Sequence, residues 1–215
     1  MLRQEVKGTV YGVILNDTVS LQKIGPLEGA PYKGAPKAPM LYIKPANTHV
    51  GSGAVVCLPD GADSVEIGAT IGLVMGRAAA RLSPQNALDV VGGLVLAADL
   101  SLPHASYYRP AIREKCFDGA LPLSEVKPFT DLSALTLVTD IDGRTVEQRA
   151  LAELVRQPAQ LLADVSEFMT LCAGDVLLVG VRYMAPQAKA GSRVRISAEG
   201  LGAIEFTIAR QEERQ

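Results

Sequence analysis

A chain of 215 residues with 48% hydrophobic and 20% charged side chains has a globular composition and enough length to bury a core without disulfides. A formal net charge of −2, with Lys and Arg scattered along the chain, removes the electrostatic case for nucleic acid or an anionic membrane as partner. Cys57, Cys116 and Cys172 are too few and too widely spaced for a disulfide framework or a zinc site, so they read as reduced, buried thiols.

Met1 to Lys7 carry charge where a signal peptide needs an apolar run. No uncharged apolar stretch approaches the roughly 18 residues of a membrane helix, and a cytoplasmic location is expected. Residues 8–15 read as a strand ended by Asn16 and Asp17. Residues 24–40, rich in Gly, Pro and Lys, read as a mobile loop. A short strand follows at 40–44 and stops at Pro45, and apolar runs at 54–58, 70–75 and 91–97 are bounded by Gly, Pro or Asp.

Ser83 followed by Pro84 predicts the start of a helix, with Ala87, Leu88 and Val91 on one face. A second helix is predicted after Gln157, with Leu161, Leu162, Val165 and Phe168 at helical spacing. Strand-like runs occupy 135–141, 176–181, 193–198 and 203–208, and 193–197 alternates between polar and apolar residues. About nine strands and two or three helices without regular alternation predict a β-rich α+β fold in a single domain over 1–215.

Several chemistries are absent from the pattern. The Gly-rich stretch at Val91–Gly93 does not match a phosphate or dinucleotide loop, and no Gly-x-Ser-x-Gly elbow occurs. His49 and His104 are the only histidines, so a His-rich metal site is excluded, and each reads first as a structural residue.

One order of features is distinctive. Tyr42-Ile43-Lys44-Pro45 comes first, then Leu96-Ala97-Ala98-Asp99-Leu100-Ser101, then Tyr107-Tyr108-Arg109-Pro110. Lys115-Cys116-Phe117-Asp118-Gly119 and Ser166-Glu167-Phe168 follow. In this order the chain resembles the fumarylacetoacetate hydrolase superfamily nearly end to end. It is most similar to the first half of the two-half isomerase/decarboxylases of 4-hydroxyphenylacetate (homoprotocatechuate) degradation. The resemblance implies the β-roll of the family's C-terminal domain with a few short helices. It further implies 2-oxo di- or tricarboxylate ligands and a Mg²⁺ or Mn²⁺ ion that stabilises an enolate. Asp99 and Lys115 are the implied catalytic residues, and Lys44, Arg109 and Arg182 the implied substrate-binding ones.

The chain departs from that family at the metal. Aligned on Val74-Met75-Gly76, the two Glu-x-Glu ligand positions fall on Gly68 and Thr70, leaving Asp99 of the three carboxylates. A hard divalent ion needs several anionic oxygens, so this chain is expected to bind no metal. Glu66 shares the strand face of Gly68 but stands roughly 6–7 Å along the strand. Arg182 sits where the family often has Gly-Thr-Pro, and either grips a carboxylate or faces solvent.

Three readings follow. In the first the chain is a subunit acting on 2-hydroxyhepta-2,4-diene-1,7-dioate and 5-oxopent-3-ene-1,2,5-tricarboxylate, with the chemistry in a metal-binding sister subunit. In the second it is a catalytically inactive structural partner, as a homodimer or a heteromer. In the third Lys115 acts as a metal-independent base oriented by Asp99.

Overall fold

The computed structural model describes residues 6–27, 34, 36–104 and 111–211. Its strands are β1 (Val10–Ile14), β2 (Met40–Lys44), β3 (His49–Gly51), β4 (Val55–Leu58), β5 (Val65–Met75), β6 (Val91–Ser101) and β7 (Leu121–Leu123). They continue as β8 (Thr136–Ile141), β9 (Arg144–Ala150), β10 (Val176–Leu178), β11 (Gln187–Ala188), β12 (Arg193–Ala198) and β13 (Gly202–Arg210). The helices are α1 (Thr18–Ile24), α2 (Ile112–Lys115) and α3 (Pro158–Phe168). This is the β-rich α+β architecture read from the sequence, and no helix among the described residues is long and apolar enough to cross a membrane.

The strands form two sheets. One runs β2-β1-β10-β5-β6-β7-β3, with β11 also paired to β5, and the other runs β4-β13-β12-β8-β9. Strands β5 and β6 are the longest of the first sheet, and nearly every residue of both is buried, which explains their continuous apolar runs. Their inward residues, among them Ile67, Ile71, Leu94 and Leu96, join β12, β13 and α3 in the main core. The opposite face carries a smaller cluster of Val10, Val74, Val95, Ala97, Leu121, Val176 and Leu178. Gly72 lets this face close, because a Cβ there would come within 2.4 Å of Val176 and 2.7 Å of Val95. Lys44 on the outermost strand β2 reaches carbonyls at the end of β6 and ahead of β7, so the sheet rolls on itself around that face.

Some expected elements differ. The helix predicted from Ser83 is only a 3₁₀ turn, Ala87–Val90. Asn86 Oδ1 accepts from the Ser83 amide at 2.9 Å, a local loop that competes with helix propagation. Helix α3 begins at Pro158 with Leu161, Leu162 and Val165 fully buried, but Phe168 at its end is 62% exposed. Cys57 and Cys116 are half-buried and Cys172 is exposed, so the buried-thiol expectation fails for all three. Of the loop expected over 24–40, residues 28–33 and 35 lie outside the described residues, and Ile24 closes α1. Helix α1 and strand β9 escaped the sequence reading: α1 is two turns capped by Asp17, and β9 is an edge strand with mostly polar residues.

Candidate functional site

Strands β5 and β6 are antiparallel and place Glu66 opposite Ser101, Gly68 opposite Asp99 and Thr70 opposite Ala97. These residues share one sheet face, the one that rolls inward. Asp99 is 1% exposed there. A buried carboxylate needs partners, and the fold supplies three. Lys44 Nζ lies 2.8 Å from Oδ1, Lys115 Nζ lies 2.9 Å from Oδ2, and the Tyr42 hydroxyl donates to Oδ2.

The two lysines are held differently. Lys44 Nζ donates to the carbonyls of Leu100 (2.8 Å), Lys115 (2.7 Å) and Ala120 (3.0 Å). An ammonium has three hydrogens, and these carbonyls take all of them. Asp99 Oδ1 therefore receives charge from Lys44 without a hydrogen bond, although the atoms are close. Lys115 comes from α2, a single turn, and its ammonium stands 4.6 Å from the centroid of the Tyr42 ring. Asn47 braces the loop that follows by donating to Cys116 O and to Asp118 Oδ1.

The electrostatics follow from burial and pairing. Burial works to raise the Asp99 pKa, but Lys115 and Lys44 outweigh it and hold the carboxyl down at about 2. Burial lowers the Lys44 pKa to about 8 against the pull of Asp99. Glu66 is pushed up by burial as well, with His104 and Lys115 drawing it back.

A pocket of about 20 Å³ lies against Asp99, room for one water. Its walls include Glu66, Ser101, His104, Lys115, Val181 and Arg182. Lys44 stands behind Asp99 and does not line it. His104 Nδ1 is 3.0 Å from Leu102 O and 3.4 Å from Ser101 Oγ, which holds its ring at the wall. His49 lies elsewhere, with Nε2 3.3 Å from Lys44 O.

Arg182 neither faces open solvent nor grips a free carboxylate. It pairs with Glu153 through Nη2, and stands 3.8 Å from Asp17 and 4.0 Å from Glu147. Asp17 is itself bound by Arg149 Nε at 3.0 Å. Arg149 is fully buried and donates from Nη1 to Ala69 O and Gly180 O. Thr70 also donates to Gly180 O, at 2.7 Å.

Lys44, Asp99, Lys115 and Arg182 thus converge on one region, while Arg109 lies outside the described residues. Tyr42, Arg149, Asp17 and Glu153 were given no role from sequence. Tyr42 had a signal, since it shares strand parity with Lys44 two residues on. Arg149 and Glu147 had none, because β9 was not legible as a strand.

The donor set does not fit a hard divalent cation. Asp99 is neutralised by two ammonium groups, Thr70 is a hydroxyl bound to a carbonyl, and position 68 has no side chain. A Cβ on Gly68 would stand 2.6 Å from Asp99 O and 2.8 Å from Val181 Cγ1, so there is no room for a side chain at this position as the backbone stands. Among the described residues no three His, Cys, Asp or Glu side chains gather as a metal site.

Comparison with known proteins adds a lineage to this geometry. The fumarylacetoacetate (FAA) hydrolase C-terminal family matches residues 9–209. The chain is 40% identical over 209 residues to the 4-hydroxyphenylacetate degradation bifunctional isomerase/decarboxylase of Salmonella dublin, covering 97% of the chain and 48% of that protein. It is 36% identical over 209 residues to the homoprotocatechuate catabolism bifunctional isomerase/decarboxylase of Escherichia coli, covering 97% and 49%. The chain spans about half the length of these relatives. Among solved structures, 2-hydroxyhepta-2,4-diene-1,7-dioate isomerase from Mycobacterium marinum superposes with a TM-score of 0.80 at 23% identity, covering 96% of the chain and 76% of that protein. Fumarylpyruvate hydrolase from Pseudomonas aeruginosa, in complex with Mn²⁺ and pyruvate, superposes with a TM-score of 0.82 at 18% identity, covering 94% and 90%. At those identities the structural likeness concerns the fold.

Proposed function

The chain belongs to the fumarylacetoacetate hydrolase family, and from that premise we propose that it is the metal-free half of an isomerase/decarboxylase of homoprotocatechuate breakdown. In this reading it binds the carboxylate of a 2-oxo di- or tricarboxylate. The ligands would be 2-hydroxyhepta-2,4-diene-1,7-dioate and 5-oxopent-3-ene-1,2,5-tricarboxylate. The metal-assisted bond changes occur in a homologous half with intact ligands, joined to this chain as a heteromer.

The observation that carries the reading is the state of Asp99: the carboxylate is consumed by two ammonium groups, and one of them, Lys115, faces a pocket. Lys115 keeps two hydrogens beyond its bond to Asp99, enough to hold an incoming carboxylate. Asp99 acts through Lys115 by holding its side chain in place. Lys44 balances Asp99 from behind, and Arg182 and Arg109 supply further positive charge for a second carboxylate.

A second reading, that of a structural partner without ligand, draws on the pocket's size. About 20 Å³ admits no dicarboxylate unless a wall moves. Titration calorimetry separates the two. Mg²⁺ and Mn²⁺ added to the chelator-treated chain should give no binding heat. Oxalate should bind, and should lose most of its affinity in Lys115→Gln. Micromolar Mn²⁺ binding would sink the metal-free reading, and an oxalate affinity indifferent to Lys115 would favour the structural partner.

A further inference from the structure

The wall that closes the pocket is the segment 179–186, between β10 and β11. It carries Val181 and Arg182 into the site, and two backbone positions mark it as a folded-in strap rather than a simple turn. Gly180 has φ of +111°, and a Cβ there would press within 3.2 Å of Asn16 and 3.3 Å of Val13 O. Met184 has φ of +54° in a side-chain-bearing residue, and that side chain is 67% exposed at the tip. The root of the strap is fixed by Gly180 O, which accepts from Arg149 Nη1 and Thr70 Oγ1. The part able to move is therefore its tip, held by the Tyr183 amide donating to Ser20 Oγ at 2.8 Å and by Arg182.

The carboxylates around Arg182 are not equivalent. Asp17 is fully engaged: it takes Arg149 Nε through Oδ2 and both the amide and the hydroxyl of Ser20 through Oδ1. Glu147 is a loose 4.0 Å away, and its pKa is raised by burial against the pull of Arg182 and Arg149. Glu153 is different. It ends the 3₁₀ turn Leu151–Glu153, its side chain is 36% exposed, and it forms the direct hydrogen bond to Arg182. It is therefore the carboxylate on Arg182 that a ligand in solution most easily replaces.

We propose that Glu153 is a resident competitor for the ligand's carboxylate: it occupies Arg182 and keeps the strap closed over Lys115. A dicarboxylate enters by taking Glu153's place on Arg182. This makes Glu153 a specificity-determining residue. A ligand with one carboxylate cannot satisfy Lys115 and also release Arg182, whereas a ligand with two can do both. The inference rests on the anion-binding reading of Lys115 given above. Apparent affinity falls by the fraction of molecules in which the strap is open, so removing the competitor must raise it.

The test is calorimetry of 2-oxoglutarate, a two-carboxylate 2-oxo acid, against five forms of the chain: the parent, Lys115→Gln and the three variants that follow. Glu153→Gln keeps the side chain's size but removes its charge and turns one acceptor oxygen into a donor, and should bind about tenfold tighter than the parent, a change of about 1.4 kcal/mol. Arg182→Gln combined with Glu153→Gln should lose that gain, because no grip remains to be freed. Glu205→Gln, at an exposed pair with Arg195 on the other sheet, controls for net charge and should leave affinity within about twofold. If Glu153→Gln binds no tighter than the parent while Lys115→Gln weakens binding, the competitor is disproved and the anion site stands. If neither parent nor Glu153→Gln binds at millimolar ligand with the fold intact, the anion site fails and the competitor with it.

Discussion

Asp99 and Asp17 are both buried, and each meets two cations: Lys44 and Lys115 at one, Arg149 and Arg182 at the other. In each cluster one cation is sealed in and donates to backbone carbonyls, although Arg149 also gives Nε to Asp17 and leaves Nη2 without a partner. Lys44 holds those of Leu100, Lys115 and Ala120, and Arg149 holds those of Ala69 and Gly180. The other cation, Lys115 or Arg182, lines the pocket. The clusters differ in what that second cation faces. Lys115 is set by Asp99 and Tyr42, whereas Arg182 is drawn by two further carboxylates, Glu147 and Glu153. At Asp99 the destination of the hydrogens separates Lys44 from Lys115, whereas at Asp17 it is access to the pocket that separates Arg182 from Arg149.

The comparison breaks most visibly at Asp99. Asp99→Asn leaves Lys44 and Lys115 facing each other without a counter-charge, and losing one member of a buried pair costs about 3–5 kcal/mol. Urea unfolding reads this directly. A loss under about 1 kcal/mol would mean the lysines find another counter-ion and the cluster is not self-contained.

The two arginines give the next largest contrast. Arg149→Met should cost about 3 kcal/mol, because it abandons a buried carboxylate and two carbonyls. Arg182→Gln should cost less than Arg149→Met, since Asp17 keeps Arg149 and Glu153, the carboxylate hydrogen-bonded to Arg182, is 36% exposed. Equal losses in the same unfolding series would erase the division between the sealed and the pocket-facing cation.

The last contrast is in acid. Asp99 has a folded pKa of about 2 against an ordinary 3.8, so between those values the unfolded chain holds more protons than the folded one. Its stabilisation, on the order of 2 kcal/mol, is complete above about pH 4 and is lost as pH falls toward about 2. Lys115 supplies the largest attraction that lowers this pKa, so Lys115→Gln should begin its acid loss at higher pH. Acid limbs that coincide in parent and variant would remove Lys115 from that role.

Much of the fold was legible because it rests on short-range chemistry. The apolar runs of β5 and β6 and the Pro158 start of α3 are patterns along the chain. Asp17 carried a capping signal for α1 that went unread, and Asn86 turned a helix-like pattern into a loop. Strand β9 had no apolar alternation to reveal it, so Arg149 and Glu147, which depend on its register, were invisible too.

By itself the sequence determined the family, the absence of carboxylates at 68 and 70, and the candidates Asp99, Lys44, Lys115 and Arg182, because residue identity is enough for each. Only the tertiary structure decided how those candidates divide. Which hydrogens of Lys44 are spent, whether Val181 fills the space beside Gly68, and which carboxylate holds Arg182 depend on groups tens of residues apart along the chain. The rolling of the sheet brings them within hydrogen-bonding distance, and at that range desolvation and geometry, which no local pattern encodes, set the outcome.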